Sequence, residues 1–257
     1  MAMLKLALEW FVEGVSRCRD QGFDSLVVVD ALRFSATVAL ALSLGIERVI
    51  PVRSVEEARK YSGKPGYLVA IEVGGAKQPG ADIGNSPTEL IELFRRGKLK
   101  ECKILVIRTS SGAQAVAKAR ELGFGSVFVA SFVNAKFLAQ VVARQGIESL
   151  CIVCAGRDSK HFAIEDLLAA GAITDEITSS VRNVEMCEKA WGAYLAWKGV
   201  VNLGIDLPSF VKSVGDSGKK LVELGYERDI SFALNLNTVP AVPMLVGNHL
   251  VDIYRRL

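Results

Sequence analysis

The sequence is poor in aromatic residues and has no long apolar run, and both features limit the kinds of protein it can encode. Aromatic residues make up 7% of the 257 residues while 50% are hydrophobic, which is typical of an aliphatic α/β core. No stretch approaches the ~18 uncharged apolar residues of a membrane span. Residues 1–10 also lack the pattern of a cleavable signal peptide. We therefore expect a cytoplasmic protein with no membrane contact.

An excess of charge of one sign is also missing. Lys and Arg number 31 and Asp and Glu number 28, so the formal net charge is only +3. A nucleic-acid-binding protein normally concentrates basic residues on one surface. The near balance indicates no nucleic acid partner and favours a small molecule instead.

Cysteine is scarce and odd in number. Five cysteines in a chain of this size fit reduced thiols better than a disulfide framework. Cys102 and Arg108 have the spacing of a cysteine phosphatase, but the residues between them form a strand that places the two side chains about 20 Å apart. Cys151 and Cys154 form C-x-x-C within another strand, where an odd separation directs them to opposite faces. Only Cys154, at the strand end, is then able to approach a ligand.

Histidine is scarcer still, with two residues too far apart for a histidine-rich metal centre. Walker, G-x-S-x-G and G-x-G-x-x-G motifs are absent, and no second Asp follows Asp30 at the haloacid-dehalogenase spacing. What remains is oxygen chemistry, which favours Mg²⁺ held by one or two carboxylates, with surplus carboxylates serving as acid or base. The candidate carboxylates are Asp30, Glu72, Asp82, Glu165 and Asp166.

The stretch that organises the chain is an apolar run, Leu26–Val29, that ends in Asp30 and Arg33. It is typical of a buried parallel strand followed by a helix that begins near residues 33–35. The helix N-terminus and Arg33 favour an anion, and Asp30 favours a cation. Together they indicate a site for a metal and a phosphorylated ligand. The alternative is that Asp30 only caps the helix and pairs with Arg33.

Strands and helices then alternate along the chain, which predicts a three-layer α/β/α fold with a mainly parallel β-sheet built from repeated strand–helix units. Gly247-Asn248 between apolar runs predicts a hairpin, so the sheet is expected to be mixed. We expect one domain over residues 1–257, with two intimately packed halves, about 1–100 and 101–257, as the alternative. The predicted strands are 26–29, 46–52, 67–73, 104–107, 126–130 and 150–153.

Residues 173–197 are expected to form one long helical region. Its stripe of Trp191, Tyr194 and Trp197 is typical of core or of a dimer surface, so a homodimer stays open.

In such sheets the ligand lies at the carboxyl ends of the strands. The loops that carry Asp30, Glu72, Thr109, Asn134 and Cys154 are therefore expected to share one face. A long irregular loop, 74–85, is closed by the helix start Ser86-Pro87, which ordinary capping explains as well as ligand binding does.

This ordered set of loops resembles the 2-phosphosulfolactate phosphatases of coenzyme M biosynthesis. The resemblance runs from Asp30 to Pro243 and rests on Asp30-Ala31-Leu32-Arg33 with Phe34–Thr37, Ile71–Gly75, Ala81–Pro87, Thr109–Ala113, Ser131–Asn134, Cys154-Ala155-Gly156 and Glu165-Asp166. It implies a Mg²⁺-dependent phosphomonoester hydrolase that acts on a small anionic phosphorylated substrate, 2-phosphosulfolactate, and releases phosphate and sulfolactate.

The resemblance also implies roles for individual residues. The implied catalytic residues are Asp30, Glu72, Glu165 and Asp166, and the implied metal ligands are Asp30, Glu72 and Asp82. The implied substrate- and phosphate-binding residues are Arg33, Asn85, Ser86, Arg108, Thr109, Ser110, Ser111, Gly112, Asn134, Cys154 and Gly156.

The chain departs from the family pattern at four positions, Val73, Ser110, Ser111 and Asn237. Val73 replaces an arginine, and Arg108 is a candidate to take over its charge. Because these positions concern anion recognition more than the carboxylates, two alternatives stay open. One is a phosphatase of another small phosphorylated acid, and the other is a non-catalytic anion-binding homologue.

Overall fold

The computed structural model describes residues 3–256, which fold around one mixed β-sheet. Its strands are β1 (Leu4–Trp10), β2 (Ser25–Val29), β3 (Arg48–Pro51), β4 (Tyr67–Val73), β5 (Ala76–Lys77), β6 (Ile104–Arg108), β7 (Ser126–Val129), β8 (Ser149–Cys154), β9 (Val184–Met186), β10 (Pro243–Val246) and β11 (His249–Asp252). Its α-helices are α1 (Phe11–Asp20), α2 (Phe34–Ser43), α3 (Val55–Arg59), α4 (Pro87–Arg95), α5 (Gly112–Glu121), α6 (Ala135–Gln145), α7 (Ile164–Ser180), α8 (Glu188–Asn202), α9 (Leu207–Val214), α10 (Asp216–Glu223) and α11 (Glu227–Ala233). Short 3₁₀ helices cover Phe132–Asn134 and Tyr254–Arg256.

The sheet consists of two parallel blocks joined by a hairpin. Its strand order is β5-β4-β6-β3-β11-β10-β7-β2-β8-β1-β9. Strands β4, β6 and β3 are parallel to one another, as are β7, β2, β8, β1 and β9. The hairpin β10–β11 is antiparallel to both neighbours, so three reversals make the two blocks run in opposite directions. The predicted mixed, mainly parallel sheet is confirmed.

The core lies on both faces of this sheet because side chains alternate along each strand. In β2, Val27 and Val29 pack on one face with helices α6, α7 and α8, while Leu26 and Val28 pack on the other with α1, α2 and α5. All four are fully buried. Helices on both faces of one sheet form the predicted three layers.

One predicted helix is wrong. The region 173–197 is split between α7 and α8 because residue Val181 leaves the helix in an extended conformation. The segment that follows forms β9, which pairs with β1 and extends the sheet. The aromatic stripe is divided: Trp197 packs on Phe132 in the core, whereas Trp191 is 46% exposed and contacts Tyr194.

The expectation of reduced thiols also needs correction. Cys18 of α1 and Cys151 of β8, 133 residues apart with Cα atoms separated by 6.1 Å, form a disulfide, which the strand pattern around Cys151 does not reveal. Cys102, Cys154 and Cys187 are free. Cys151 and Cys154 do lie on opposite faces of the sheet, as predicted.

Among residues 3–256 we find no helix with both the length and the apolar character needed to cross a lipid bilayer.

Candidate active site

A cavity of about 390 Å³ opens where the loops after β2, β4, β6 and β8 converge. The two blocks run in opposite directions, yet residues that follow strands of both blocks line this one cavity. Of the residues predicted from sequence, the cavity is lined by Asp30, Arg33, Glu72, Asn85, Ser110, Ser111, Gly156, Glu165 and Asp166. It is also lined by Leu32, Gly74, Gly75, Arg157, Asp158, Ala163, Asp216, Ser217, Lys219, Lys220, Leu221 and Glu223.

Asp30 follows β2 directly, and the backbone fixes its carboxylate. The Gly112 N–H donates to Asp30 Oδ2 at 2.8 Å, and the Phe34 N–H donates to Oδ1 at 3.4 Å. A Cβ atom at Gly112 would lie 2.7 Å from Asp30 Oδ2 and 2.7 Å from Phe34 Cγ. Only glycine therefore lets the start of α5 approach this carboxylate.

Glu72, near the end of β4, is held by two turns. Its Oε1 accepts from the Gly75 N–H at 2.6 Å and from Ser110 Oγ at 3.3 Å, and its Oε2 accepts from the Ser110 N–H at 3.3 Å. Because Ser110 binds Glu72 and Gly112 binds Asp30, one three-residue turn holds both carboxylates at the cavity.

Glu165 and Asp166 lie in the first turn of α7, where the helix dipole favours negative charge. Asp166 accepts from the Ala31 N–H at 2.8 Å and from the Gly156 N–H at 2.9 Å, so each of its oxygens is engaged. The neighbouring Glu165 is only 2% exposed, and its Oε2 has no hydrogen-bond partner within the described residues. Asp166 is thus bound to two loops, whereas Glu165 keeps an oxygen free.

Burial of these acids disfavours their ionised forms. Burial, opposed by the N–H groups of Gly112 and Phe34 and assisted by the charges of Glu72 and Glu165, raises the pKa of Asp30 to about 7. Burial, followed by the charges of Asp30 and Glu165, raises the pKa of Asp166 well above its usual range. Burial also raises the pKa of Glu165, against the effects of Ser217 and Arg157. The carboxylates are therefore close enough to repel one another.

Arg33 lines the cavity, but much of its guanidinium is engaged. Its Nη1 donates to Asp229 Oδ2 at 2.6 Å, its Nη2 donates to the Gly75 carbonyl at 2.6 Å, and its Cζ lies 4.2 Å from the centroid of the Tyr226 ring. Both members of the ion pair are buried, with side chains 2% and 0% exposed. Arg33 therefore ties the start of α2 to α11 as well as facing the ligand space.

Comparison with known proteins assigns this chain to a family. A family model described as 2-phosphosulpholactate phosphatase matches residues 15–248. The chain belongs to this phosphatase family. The predicted resemblance and the predicted enzyme class, a phosphoric monoester hydrolase, are confirmed, and the family indicates a small phosphorylated substrate.

Three bacterial relatives illustrate the similarity, and each is described as a probable 2-phosphosulfolactate phosphatase. The Thermotoga petrophila protein is 33% identical over 221 residues, which cover 86% of this chain and 88% of the relative. The Carboxydothermus hydrogenoformans protein is 28% identical over 241 residues, covering 93% and 92%. The Clostridium acetobutylicum protein is 29% identical over 230 residues, covering 88% and 91%.

Within this phosphatase family member, Asp82 lies away from the other candidate metal ligands. Its side chain is exposed, its Oδ2 accepts from the Val69 N–H at 2.8 Å, and it does not line the cavity. The loop turns back along β4 before it reaches α4, which carries Asp82 to the outer side of that strand. Its inclusion in the metal set is therefore corrected.

Five candidate binding residues support the cavity from behind and do not line it. Ser86 Oγ donates to Asp229 and caps α4, and Arg108 donates to the Glu72 carbonyl at 2.6 Å. Thr109 Oγ1 accepts from the Ala113 N–H at 3.1 Å at the start of α5. Gly112 approaches the site through its N–H alone. The fifth, Cys154, is fully buried beneath Asp166, with its thiol 3.5 Å from the Asp166 carbonyl oxygen.

Asn134 lies farther from the phosphatase cavity. Its amide donates to the carbonyls of Val129 and Ala241, and its Oδ1 accepts from the Ser131 N–H. Asn237, at a family position expected to be acidic, instead binds Lys136 N and Glu176. Both side chains hold loops in place through hydrogen bonds within the protein. The sequence does not distinguish this role from ligand binding, because a short polar side chain after a strand is suited to either.

Sequence reasoning missed Asp229 and the basic groups at the cavity mouth. Asp229 lies 196 residues from Arg33 in the sequence and sits in a helix without any motif of its own. Arg157 directly follows the recognised Cys-Ala-Gly turn, and Lys219 and Lys220 lie on α10. Of these residues only Arg157 had a usable signal in the sequence, because it follows the glycine turn and precedes a helix.

Proposed function

We propose that this chain is a Mg²⁺-dependent 2-phosphosulfolactate phosphatase. The observation that carries the proposal is the convergence of Asp30, Glu72, Glu165 and Asp166, all buried, in one cavity. Ionised carboxylates that are buried close together without a cation raise the free energy of the folded protein. A divalent cation would relieve that repulsion and would also bind phosphate oxygens.

The residues present fit Mg²⁺. In residues 3–256 no three His, Cys, Asp or Glu side chains are close enough to enclose a metal ion by themselves. Mg²⁺ commonly takes one or two carboxylates together with water and substrate phosphate, so a full protein cage is not required. Asp30 and Glu72 would hold the ion, and the unpartnered Asn85 Oδ1 would bind one of its waters. When bound, Mg²⁺ would offset charge on the phosphoryl group.

The roles of the other side chains follow from which of their polar atoms face the cavity and which are already hydrogen-bonded. Arg33, Asn85 and the Ser111 hydroxyl face the cavity and would orient the phosphate. Glu165 Oε2 would accept a proton from the attacking water as the new P–O bond forms and the ester P–O bond breaks. The departing alkoxide would take up a proton from water and Glu165 would release its proton to water, which leaves sulfolactate and phosphate. Asp166 would position the loops that carry Asp30 and Gly156.

The first test is phosphate release from 2-phosphosulfolactate by the purified protein, with Mg²⁺ and with EDTA. We expect release that requires Mg²⁺ and disappears with EDTA. Release that is unchanged by EDTA would contradict the cofactor proposal, and no release from a folded protein would contradict the substrate.

A panel of small phosphorylated acids separates the remaining substrate alternatives. Ser110 and Ser111 both line the cavity and both differ from the family pattern, so the pattern alone does not fix the substrate. Faster hydrolysis of 2-phosphoglycerate or 2-phospholactate than of 2-phosphosulfolactate would assign a different substrate. Anion binding without any turnover would indicate a non-catalytic homologue.

A further inference from the structure

The cationic side chains nearest the inner end of the cavity are already engaged by the protein. Arg33 pairs with Asp229 at 2.6 Å, and Arg108 donates to the Glu72 carbonyl at 2.6 Å without lining the cavity. The inner end therefore has little positive charge left for an anion beyond the phosphate.

The mouth is lined by three acids, Asp158, Asp216 and Glu223, and by three cations, of which one makes no ion pair with any described residue. Lys219 lines the cavity and is exposed, and within the described chain, 3–256, its ammonium makes neither an ion pair nor a hydrogen bond. Its neighbour Lys220 pairs with Glu223 at 3.3 Å. Arg157 pairs with Asp216 at 3.2 Å through Nη2, while its Nε is buried without a hydrogen-bond partner.

The mouth and the proposed reaction centre are adjacent. A Cβ atom on Gly215, just before α10, would lie 3.4 Å from Glu165 Oε2. Arg157, Asp216 and Ser217 are also near enough to influence the pKa of Glu165. A substrate whose phosphate lies beside Glu165 would therefore extend its other end toward Arg157 and Lys219.

We propose that Lys219, assisted by Arg157, binds the sulfonate of the substrate and sets the preference for a sulfonated phosphoester. This inference rests on the proposed function. In 2-phosphosulfolactate the carboxylate carbon is bonded to the carbon that carries the phosphate, whereas the sulfur lies one carbon farther away. The sulfonate is thus the group that reaches the mouth. A sulfonate stays ionised at neutral pH and presents three acceptor oxygens, which suits an ammonium and a guanidinium.

The test compares Lys219→Gln with Lys212→Gln on two substrates, 2-phosphosulfolactate and 2-phospholactate, which lacks the sulfonate. For Lys219→Gln we expect the KM for 2-phosphosulfolactate to rise about 10- to 100-fold with kcat within about threefold, because a charge-assisted contact is lost. The KM for 2-phospholactate should stay within about twofold. Lys212→Gln, the matched control on α9, lies outside the cavity lining and should change either KM little. An equal rise for both substrates, or no rise, would overturn the sulfonate assignment.

A binding measurement separates this inference from the proposed function. Titration calorimetry with 3-sulfolactate, which has no phosphate, should show binding to Lys219→Gln that is at least about 10-fold weaker than binding to the wild type and to Lys212→Gln. Equal affinities, or no binding to the wild type, would overturn the inference even if 2-phosphosulfolactate is hydrolysed. Absence of hydrolysis together with Lys219-dependent sulfolactate binding would reject the proposed activity while supporting the sulfonate site.

Discussion

Asp30 and Asp82 show how far two residues of one type diverge once the chain is folded. Each follows or flanks a strand, and each matches a motif of the phosphatase family. Asp30 is 7% exposed and lies among other buried acids, whereas Asp82 is exposed and binds the backbone of Val69. The family resemblance implied both as metal ligands, but a motif match does not determine the direction in which a loop leaves the sheet.

The pair provides a matched test at the level of single residues. Asp30→Asn keeps the shape of the side chain but removes its charge, so we expect kcat/KM for 2-phosphosulfolactate to fall at least about 100-fold and the Mg²⁺ requirement to shift to higher concentration. Asp82→Asn keeps an acceptor for Val69 and should change kcat/KM less than about threefold. Steady-state kinetics over a Mg²⁺ series measures both. Similar losses in the two variants would place the metal elsewhere.

The turn between β6 and α5 acts at the scale of structural elements, because it joins the two parallel blocks of the sheet. Glu72 lies near the end of β4 in one block and Asp30 directly follows β2 in the other, and both accept hydrogen bonds from backbone N–H groups of this turn. Its conformation therefore sets the separation of the two acids.

Gly112→Ala should disturb that element, and Gly192→Ala provides its control. A Cβ at Gly112 would crowd Asp30 and Phe34, so we expect about 1–3 kcal/mol of destabilisation and a kcat/KM loss of at least about tenfold. Gly192 lies on the exposed side of α8 with no atom within 4 Å of its added Cβ, so alanine there should leave activity unchanged and stabilise slightly. Urea denaturation and kinetics report the two effects. Full activity in Gly112→Ala would show that the turn tolerates a shift of the carboxylate.

At the scale of the whole molecule, elements with local signals were predictable and their relative placement was not. The strands at residues 67–73 and 104–107, the helix start after Asp30 and the hairpin at Gly247-Asn248 follow from alternation, capping and turn residues, and the structure confirms them. The opposite direction of the two blocks depends on where the C-terminal hairpin inserts, between β3 and β7. The Arg33–Asp229 pair and the Cys18–Cys151 disulfide join distant segments, so neither had a local signal.

The buried acids also determine how the stability of the whole metal-free protein depends on pH. Burial raises the pKa of Asp30 from 3.8 to about 7, and the pKa values of Glu165 and Asp166 rise in the same direction. At pH values between 3.8 and about 7 these carboxyl groups are ionised in the unfolded chain but protonated in the folded protein, so folding takes up protons. The free energy of unfolding should therefore fall as the pH rises from about 4 to about 7.

Urea denaturation in EDTA at pH 5, 6, 7 and 8 tests this dependence, with Asp30→Asn as the comparison. The variant lacks the titrating group, so its free energy of unfolding should fall less steeply and should exceed that of the wild type at pH 8. His249, whose pKa is lowered by burial and by Arg48, contributes the opposite slope near pH 6, but it is present in both proteins and cancels in the difference. Saturating Mg²⁺ should stabilise the wild type at pH 8 by about 2.7 kcal/mol at a hundredfold excess over its Kd, and Asp30→Asn much less. Parallel pH profiles for the two proteins would mean that Asp30 is already ionised in the folded state, and the proposed relief of repulsion by a cation would lose its basis.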